Sequence, residues 1–421
     1  MKNRMRLVTT SEISTAMQCP RLHFYRYVKL RRLREQPPAL RFGSLMHDCE
    51  EAWWLSLMAV IAALRAAGEM PADSYDPSRL TDEDRRRVLV AALAPVEREK
   101  DPFEQAKARA MIIGYHERWI GEAIEPLAVE RQFETPLIDP ETGDGLAVDG
   151  DDGTELKVLL AGKIDVIARR YGAGGLVEDC IIEHKTSSED VQRGSTYWQV
   201  LATDPQVSVY FDGARAIGYD VAACIYDVLS KPRLTPQTAT PEDKRETTIP
   251  KYKACPECKK KGGEATAPHV IATDVGDVEC GKGYNVGLPG GGAVAVPGEA
   301  GKVLSELPRY KSHVRIADET PAEYEARLLA DYRENLAARF VRGDIARLDN
   351  EMAEHRADVF AWAERLLTDA GARRVPRNRK SCRAYGRLCD FYDVCAGRGS
   401  LDDAQFIQIA SPHAELAEPA E

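Results

Sequence analysis

Along residues 40–67, "LRFGSLMHDCEEAWWLSLMAVIAALRAA", apolar positions return every three to four residues, which predicts a long amphipathic helix entered near Gly43. The same spacing over 81–99 and 101–124 predicts further helices, and Ser11, a good N-cap, opens a short one that runs to about Cys19 and Pro20. The period then changes. From Leu127 to Lys185 the segments "LAVERQFETPL", "ELKVLLAGKIDVIARR" and "GLVEDCIIEHKT" are rich in β-formers and are separated by the turn signals "DPETGDG" and "YGAGG". Helical spacing resumes in "QVSVYFDGARAI", and "DVAACIYDVLSKP" predicts another strand. Helices, a strand meander, a helix and a strand imply an α/β or α+β core around one central mixed sheet.

Regularity fails after Lys231 for almost ninety residues, which contain a Cys- and Lys-rich patch and the glycine run "GLPGGGAVAVPGEAGK". A stretch of that length without pattern is atypical of a compact core and predicts an insertion or small subdomain. Helical period returns in "TPAEYEARLLADYRENLAARFVR" and "ARLDNEMAEHRADVFAWAERLL". No solenoid-type repeat is present.

At 421 residues the chain exceeds the ~250–300 at which single cores stop growing, so one large domain with insertions or two domains is expected. A content of 44% hydrophobic and 29% charged residues suits a soluble globular protein with a real core. The net charge of −10 argues against a chain that coats nucleic acid nonspecifically. Charge is nonetheless uneven: "RLHFYRYVKLRRLR", residues 21–34, interleaves six Arg or Lys with two Tyr and a Phe, whereas the segment after Asp402 is acidic. The basic run suits either a solvated helix face or phosphate contact with stacking on unpaired bases. No stretch approaches ~18 apolar residues and "MKNRMRLVTTSEI" has no secretory h-region, so a cytoplasmic protein without membrane contact is expected. In a reducing compartment the ten cysteines would stay unpaired, and clustered ones lean toward metal.

Chemistry concentrates in "IIEHKTSS", residues 181–188. On a strand Glu183 and Lys185 share one face while His184 looks to the other. Upstream, in "LLAGKIDVIARR", Asp165 sits among β-branched residues, and the 17 residues between it and Glu183 allow adjacent strands of one hairpin. Two carboxylates and a lysine meeting there form a site for Mg²⁺ or Mn²⁺, which take hard oxygen ligands and leave room for water and a phosphate oxygen. Lys185 would orient or help deprotonate the water. Glu130, in "AVERQFE", is either a further acidic member or a solvent-facing strand residue.

This order of residues resembles the PD-(D/E)XK nuclease superfamily, and in particular its RecB-like exonuclease branch. That branch adds an upstream "CP…Y" segment, a "GxxxH" helix and a "QxxxY" helix; here they correspond to Cys19 and Pro20 with Tyr25 and Tyr27, to "GSLMH" ending at His47, and to "QVSVY" from Gln206 to Tyr210. The resemblance implies a restriction-endonuclease-like α/β core with helical flanks. It implies that His47 joins Asp165 and Glu183 around the metal, and that Gln206 and Tyr210, on one helix face, contact the phosphate or a base edge.

The segment "SCRAYGRLCDFYDVCAGR" spaces Cys382, Cys389 and Cys395 by six and five residues. Similarity to AddB-type and CRISPR-associated exonucleases implies that these three and Cys19 hold a 4Fe–4S cluster that clasps the fold shut. The family's closely paired cysteines are here six apart, so zinc or three buried thiols stay open as alternatives. Within the irregular insertion, "CPEC" at Cys255 and Cys258 with His269 and Cys280 suits either a structural Zn²⁺ or a loop of reduced thiols.

The organisation that follows is a nuclease core over 1–230, an insertion with a zinc knuckle over 231–319, a helical region with the cysteine group over 320–396, and a flexible acidic tail over 397–421. The function implied is an exonuclease acting on single-stranded or end-opened DNA in recombination or repair, alongside a helicase or recombinase, with a phage origin by resemblance. A structure-specific endonuclease, and a non-catalytic iron–sulfur DNA-binding module, are the other readings.

Overall fold

The computed structural model describes residues 5–149, 155–201, 203–241, 315, 317–370, 375–384, 387–413 and 416, together with four short strands between 270 and 295. Two compact units are present, Met1–Arg233 with Glu325–Glu421, and Leu234–Tyr324.

The larger unit opens with β1 (Met5–Thr9), α1 (Thr10–Gln18) and α2 (Pro20–His23), and a π-turn over Phe24–Val28 leads to β2 (Arg31–Leu33). Helices α3 (Pro38–Ala66), α4 (Asp82–Leu93) and α5 (Pro102–Trp119) follow. Their starts are chemically explicit: Thr81 and Asp84 form a reciprocal capping box on α4, and Asp101 accepts from the first N–H groups of α5. Next come β3 (Ile124–Pro136), β4 (Ala147–Asp149), β5 (Glu155–Tyr171), β6 (Val177–Ser187), α6 (Thr196–Leu201), α7 (Pro205–Ala216) and β7 (Ala223–Ser230). In the smaller unit, β8 (Val270–Thr273) pairs antiparallel with β9 (Gly276–Glu279), and β10 (Tyr284–Val286) with β11 (Ala293–Ala295). Cys255, Cys258, His269 and Cys280 lie outside the described residues. The chain continues through α8 (Pro321–Glu334), α9 (Leu336–Arg339), β12 (Phe340–Ile345), α10 (Asp349–Ala370), β13 (Arg383–Ala384), β14 (Arg387–Leu388), α11 (Tyr392–Cys395) and β15 (Phe406–Gln408).

The central sheet has seven strands in the order β1-β5-β6-β7-β12, with β3 and β4 also on β5. Pairing is parallel for β1–β5 and β6–β7 and antiparallel elsewhere, which makes the protein α/β with a mixed central sheet. One core cluster joins Ile164, Ile181, Tyr226 and Val228 of the sheet to Val207, Phe211 and Ala214 of α7 and to Val359, Ala363 and Leu366 of α10. Trp53 and Trp54 of α3, fully buried, pack edge-on with each other, and Trp53 also meets Tyr115 of α5. Alternation along β6 assigns the faces: Lys185 bonds Gln206 of α7, whereas His184 lies against Trp54 of α3.

Three sequence expectations change. The helix expected to run through Arg342 ends at Glu334, and Phe340–Ile345 becomes an edge strand on β7, where β-branched and aromatic residues gain more from an open sheet edge than from a helix. The first helix is capped by Thr9 rather than Ser11, after a strand, β1, that is too short to show a period. Residues 397–413 are not a free tail: β15 pairs with β2 and Phe406 is buried.

Candidate active site

The site is made by a fork in the sheet. The β5–β6 ladder runs from Tyr171↔Val177 to Val166↔Ile182 and stops there, while β6 stays paired with β7 as far as Ser187. Beyond the last rung stand Asp165 on β5 and Glu183, His184 and Lys185 on β6. The His184 N–H donates to Asp165 Oδ2 at 3.0 Å. Side-chain contacts complete the set: Lys185 Nζ reaches Glu183 Oε1 at 2.5 Å and Gln206 Oε1 at 2.9 Å, and Gln206 Nε2 donates to the Tyr210 hydroxyl at 2.6 Å. His47, from α3, places Nδ1 3.7 Å from Asp165 Oδ2. Thus Asp165, Glu183, Lys185, His47, Gln206 and Tyr210 come together.

Helix α7 can approach the fork because two glycines accept the Phe133 ring; a Cβ on Gly162 or on Gly213 would lie 2.6 Å from it.

Electrostatics at the fork are strained. Burial, then the nearby Glu183 charge, pushes the Asp165 pKa well above its ordinary value, against the His184 N–H bond that lowers it. Glu183 is 2% exposed and its Oε2 has no hydrogen-bond partner. For Lys185, burial acts downward, but Glu183, Asp165 and Asp204 outweigh it and raise the pKa, so the ammonium stays charged. His47 keeps 40% of its side chain open to solvent, yet the surrounding protein lowers its pKa against the pull of Glu183, which favours a neutral imidazole.

Among the described residues no three His, Cys, Asp or Glu side chains are gathered into a metal-ligand set. The donor chemistry still fits a hard divalent cation: two crowded carboxylates, one with an unpartnered buried oxygen, and a neutral imidazole at the rim.

Sequence reasoning missed what lies beneath His184. Its ring is 2% exposed and sits 3.7 Å from Glu50 Oε1 and 3.6 Å from Asp227 Oδ2. Asp227 accepts from Arg342 at 2.7 Å and from the Tyr115 hydroxyl at 2.9 Å, and Arg342 also pairs with Glu122. Burial holds His184 well below its usual pKa and Glu50, whose two oxygens lack partners, well above. A neutral acid and a neutral imidazole therefore support the strand position whose N–H holds Asp165. Glu50 follows His47 by three positions, and an acid in the apolar stripe of α3 was the available signal.

Glu130 is not simply solvent-facing. It has φ +52 and pairs with Lys163, with burial pushing its pKa up. Left-handed backbone at a residue with a Cβ costs about 1–3 kcal/mol, and a part-exposed ion pair contributes only about 0–1 kcal/mol.

At the joined ends of the chain, Asn378 N donates to Cys19 Sγ at 3.3 Å and Cys389 N to the Cys382 carbonyl at 2.9 Å. Burial raises the pKa of Cys395, and Cys19 and Cys382 are close enough to raise it further. Cys49, Cys180 and Cys224 are fully buried. The basic run is spent largely on the C-terminal segment: Arg21 binds the Val375 carbonyl, Arg31 pairs with Asp402, Arg32 binds the Pro412 carbonyl and Arg34 that of Ala404. Neither a solvated face nor a set of free phosphate contacts describes those four arginines.

A family model for the PD-(D/E)XK nuclease superfamily matches residues 8–396. The chain belongs to this superfamily. Such nucleases generally use Mg²⁺ or Mn²⁺. No curated protein matches the nuclease. A solved structure named "Crystal structure of SSO0001" is similar at 14% identity, over 43% of this chain and 73% of that one, with a TM-score of 0.15. In the described residues no helix is long and apolar enough to cross a membrane.

Proposed function

We propose that the nuclease is a RecB-like DNA exonuclease that hydrolyses phosphodiester bonds of single-stranded or end-opened DNA in recombination or repair, working with a helicase or recombinase. The observation that carries the reading is the meeting of Asp165, Glu183 and Lys185 where β5 and β6 part, with Glu183 Oε2 buried and unpartnered. Asp165 and Glu183, with His47 at the rim, would hold Mg²⁺ or Mn²⁺. When bound, the ion supplies Lewis-acid polarisation of the phosphate and a more acidic water. Lys185, kept protonated by its acidic neighbours, donates rather than accepts: it orients the attacking water and offsets charge on the phosphoryl oxygens. Gln206 holds Lys185 on the α7 side, and Tyr210 holds Gln206.

A second element of the proposal is the clasp. Cys19, Cys382, Cys389 and Cys395 would hold an iron–sulfur cluster; the reading draws on the Asn378 N–H bond to Cys19 Sγ and on the influence of Cys19 and Cys382 on the Cys395 thiol, while among the described residues no three such side chains are gathered as a ligand set. Iron and sulfide analysis of anaerobically purified protein checks it, and zinc without iron would remove the cluster.

Digestion of matched linear and circular single-stranded DNA tests the exonuclease reading. Linear DNA should be degraded and the circle should persist; cutting of the circle at a comparable rate would make the protein an endonuclease.

A further inference from the structure

Lys185 is not the only lysine beside the acidic pair. Lys163 precedes Asp165 by two positions on β5; the charges of Asp165 and of Glu51 on α3 act on it, and its charge acts on His47 of α3. The two lysines engage different partners: Lys185 reaches Gln206 of α7, whereas Lys163 pairs with Glu130 of β3. Lys163 keeps 34% of its side chain exposed. Its partner Glu130 sits where the β3–β5 ladder passes from Val129↔Val166 to Arg131↔Ile164 without a rung between, and there the backbone turns left-handed.

That turn needs a reason. Lys163 could be neutralised by a carboxylate on ordinary strand backbone, and the pair returns less than the backbone conformation costs. Strain of this kind is retained where a side chain must be aimed. The carboxylate engages one side of an ammonium that carries three donors, leaving others for a ligand oxygen.

We propose that Lys163 contacts a non-bridging phosphate oxygen of the DNA strand entering the fork, and that Glu130 is a positioning residue that holds Lys163 on that line. The inference rests on the nuclease reading of Asp165, Glu183 and Lys185 and adds to it a substrate contact through Lys163, held by Glu130 of β3. The ammonium meets the backbone phosphate, so the contact is indifferent to base sequence. Lys163 thereby differs from Lys185, whose donors are turned to Glu183 and Gln206.

The test is binding of a single-stranded oligonucleotide in EDTA, where no cleavage occurs, across a salt series, for the unaltered protein, Lys163→Gln, Lys163→Arg and Glu130→Gln. Lys163→Gln should weaken binding by about tenfold or more, as loss of a charged hydrogen bond does. It should also reduce the salt slope by about 0.7, the loss of one single-strand phosphate contact. Lys163→Arg should keep the slope, and Glu130→Gln should weaken binding less while leaving thermal stability nearly unchanged. Identical affinity and slope in Lys163→Gln and the unaltered protein would overturn the proposal. Cleavage of the same oligonucleotide by the unaltered protein with Mg²⁺ or Mn²⁺, run in parallel, separates the two readings. Its absence counts against the nuclease reading, whereas cleavage with an unchanged slope counts against Lys163 alone.

Discussion

Replacing Arg342 by Met should destabilise the larger unit by about 3–5 kcal/mol, the cost of stranding one partner of a buried ion pair. Asp227 is 0% exposed and Arg342 8%, so neither charge can turn to water. Without the guanidinium, the Asp227 carboxylate keeps only the Tyr115 hydroxyl at 2.9 Å and faces the neutral His184 ring at 3.6 Å and the Glu50 carboxyl beyond it. Nor can Tyr115 compensate, because burial and the Asp227 charge already raise its pKa and fix it as a donor. Glu122, the other partner of Arg342, is 38% exposed at its side chain and can return to solvent at little cost. The loss should therefore belong to Asp227. Against a typical stability of about 5–15 kcal/mol, it should move the urea midpoint by about 1 M or more. The assay is urea unfolding followed by tryptophan fluorescence, since Trp119 lies 4.1 Å from the guanidinium and Trp54 borders the same pocket. The double variant Asp227→Asn/Arg342→Met should recover most of the loss, because both charges leave together. A loss below about 1 kcal/mol in Arg342→Met, or a double variant as unstable as the single, would mean that Asp227 does not depend on this guanidinium.

Other outcomes follow from local geometry. Glu12 is fully buried, and although burial alone would raise its pKa, bonds from His23 and His413 and the Arg6 charge lower it to about 2. A carboxylate depressed from its ordinary 4.5 stabilises the fold above that value, so about 3 kcal/mol should be lost as pH falls from 4.5 toward 2; Glu12→Gln should flatten acid unfolding in that window. Gly213→Ala places a Cβ 2.6 Å from the Phe133 ring and should cost about 1–3 kcal/mol in thermal or urea unfolding. Truncation after Gly397 removes β15, the Arg31–Asp402 pair and His413 from Glu12, and should lower the melting temperature of the remainder, read by calorimetry; an unchanged melting temperature would mean that this segment only rests on the surface.

The grouping of the site residues was more legible than its support. Asp165, Glu183 and Lys185 announce themselves because charged residues in a β-branched run are costly unless they are used, and two-residue spacing on a strand fixes their faces. The strand meander from 127 to 185 was readable from its period and its turns. Pairing order was not, because alternation says which face a residue takes and nothing about its neighbour: that β5 abandons β6 beyond Val166, which creates the fork, is a long-range choice. Strand β12 hid within a helical pattern, and with it Arg342, the cation for Asp227. Asp227 itself looks like a polar interruption in "CIYDVLS". The basic run misled for a related reason: charge density is visible in sequence, whereas its consumption by a segment over 350 residues away is not.

Catalysis by Asp165, Glu183 and Lys185 is tested by digestion of end-labelled DNA by the unaltered protein, Asp165→Ala, Glu183→Ala and Lys185→Ala, each with Mg²⁺, with Mn²⁺ and with EDTA. With metal the unaltered protein should cleave, the two carboxylate variants should not, and Lys185→Ala should be slower by orders of magnitude, with the variants still folded and still binding DNA. Normal turnover by Asp165→Ala, or undiminished cleavage in EDTA, would contradict that assignment.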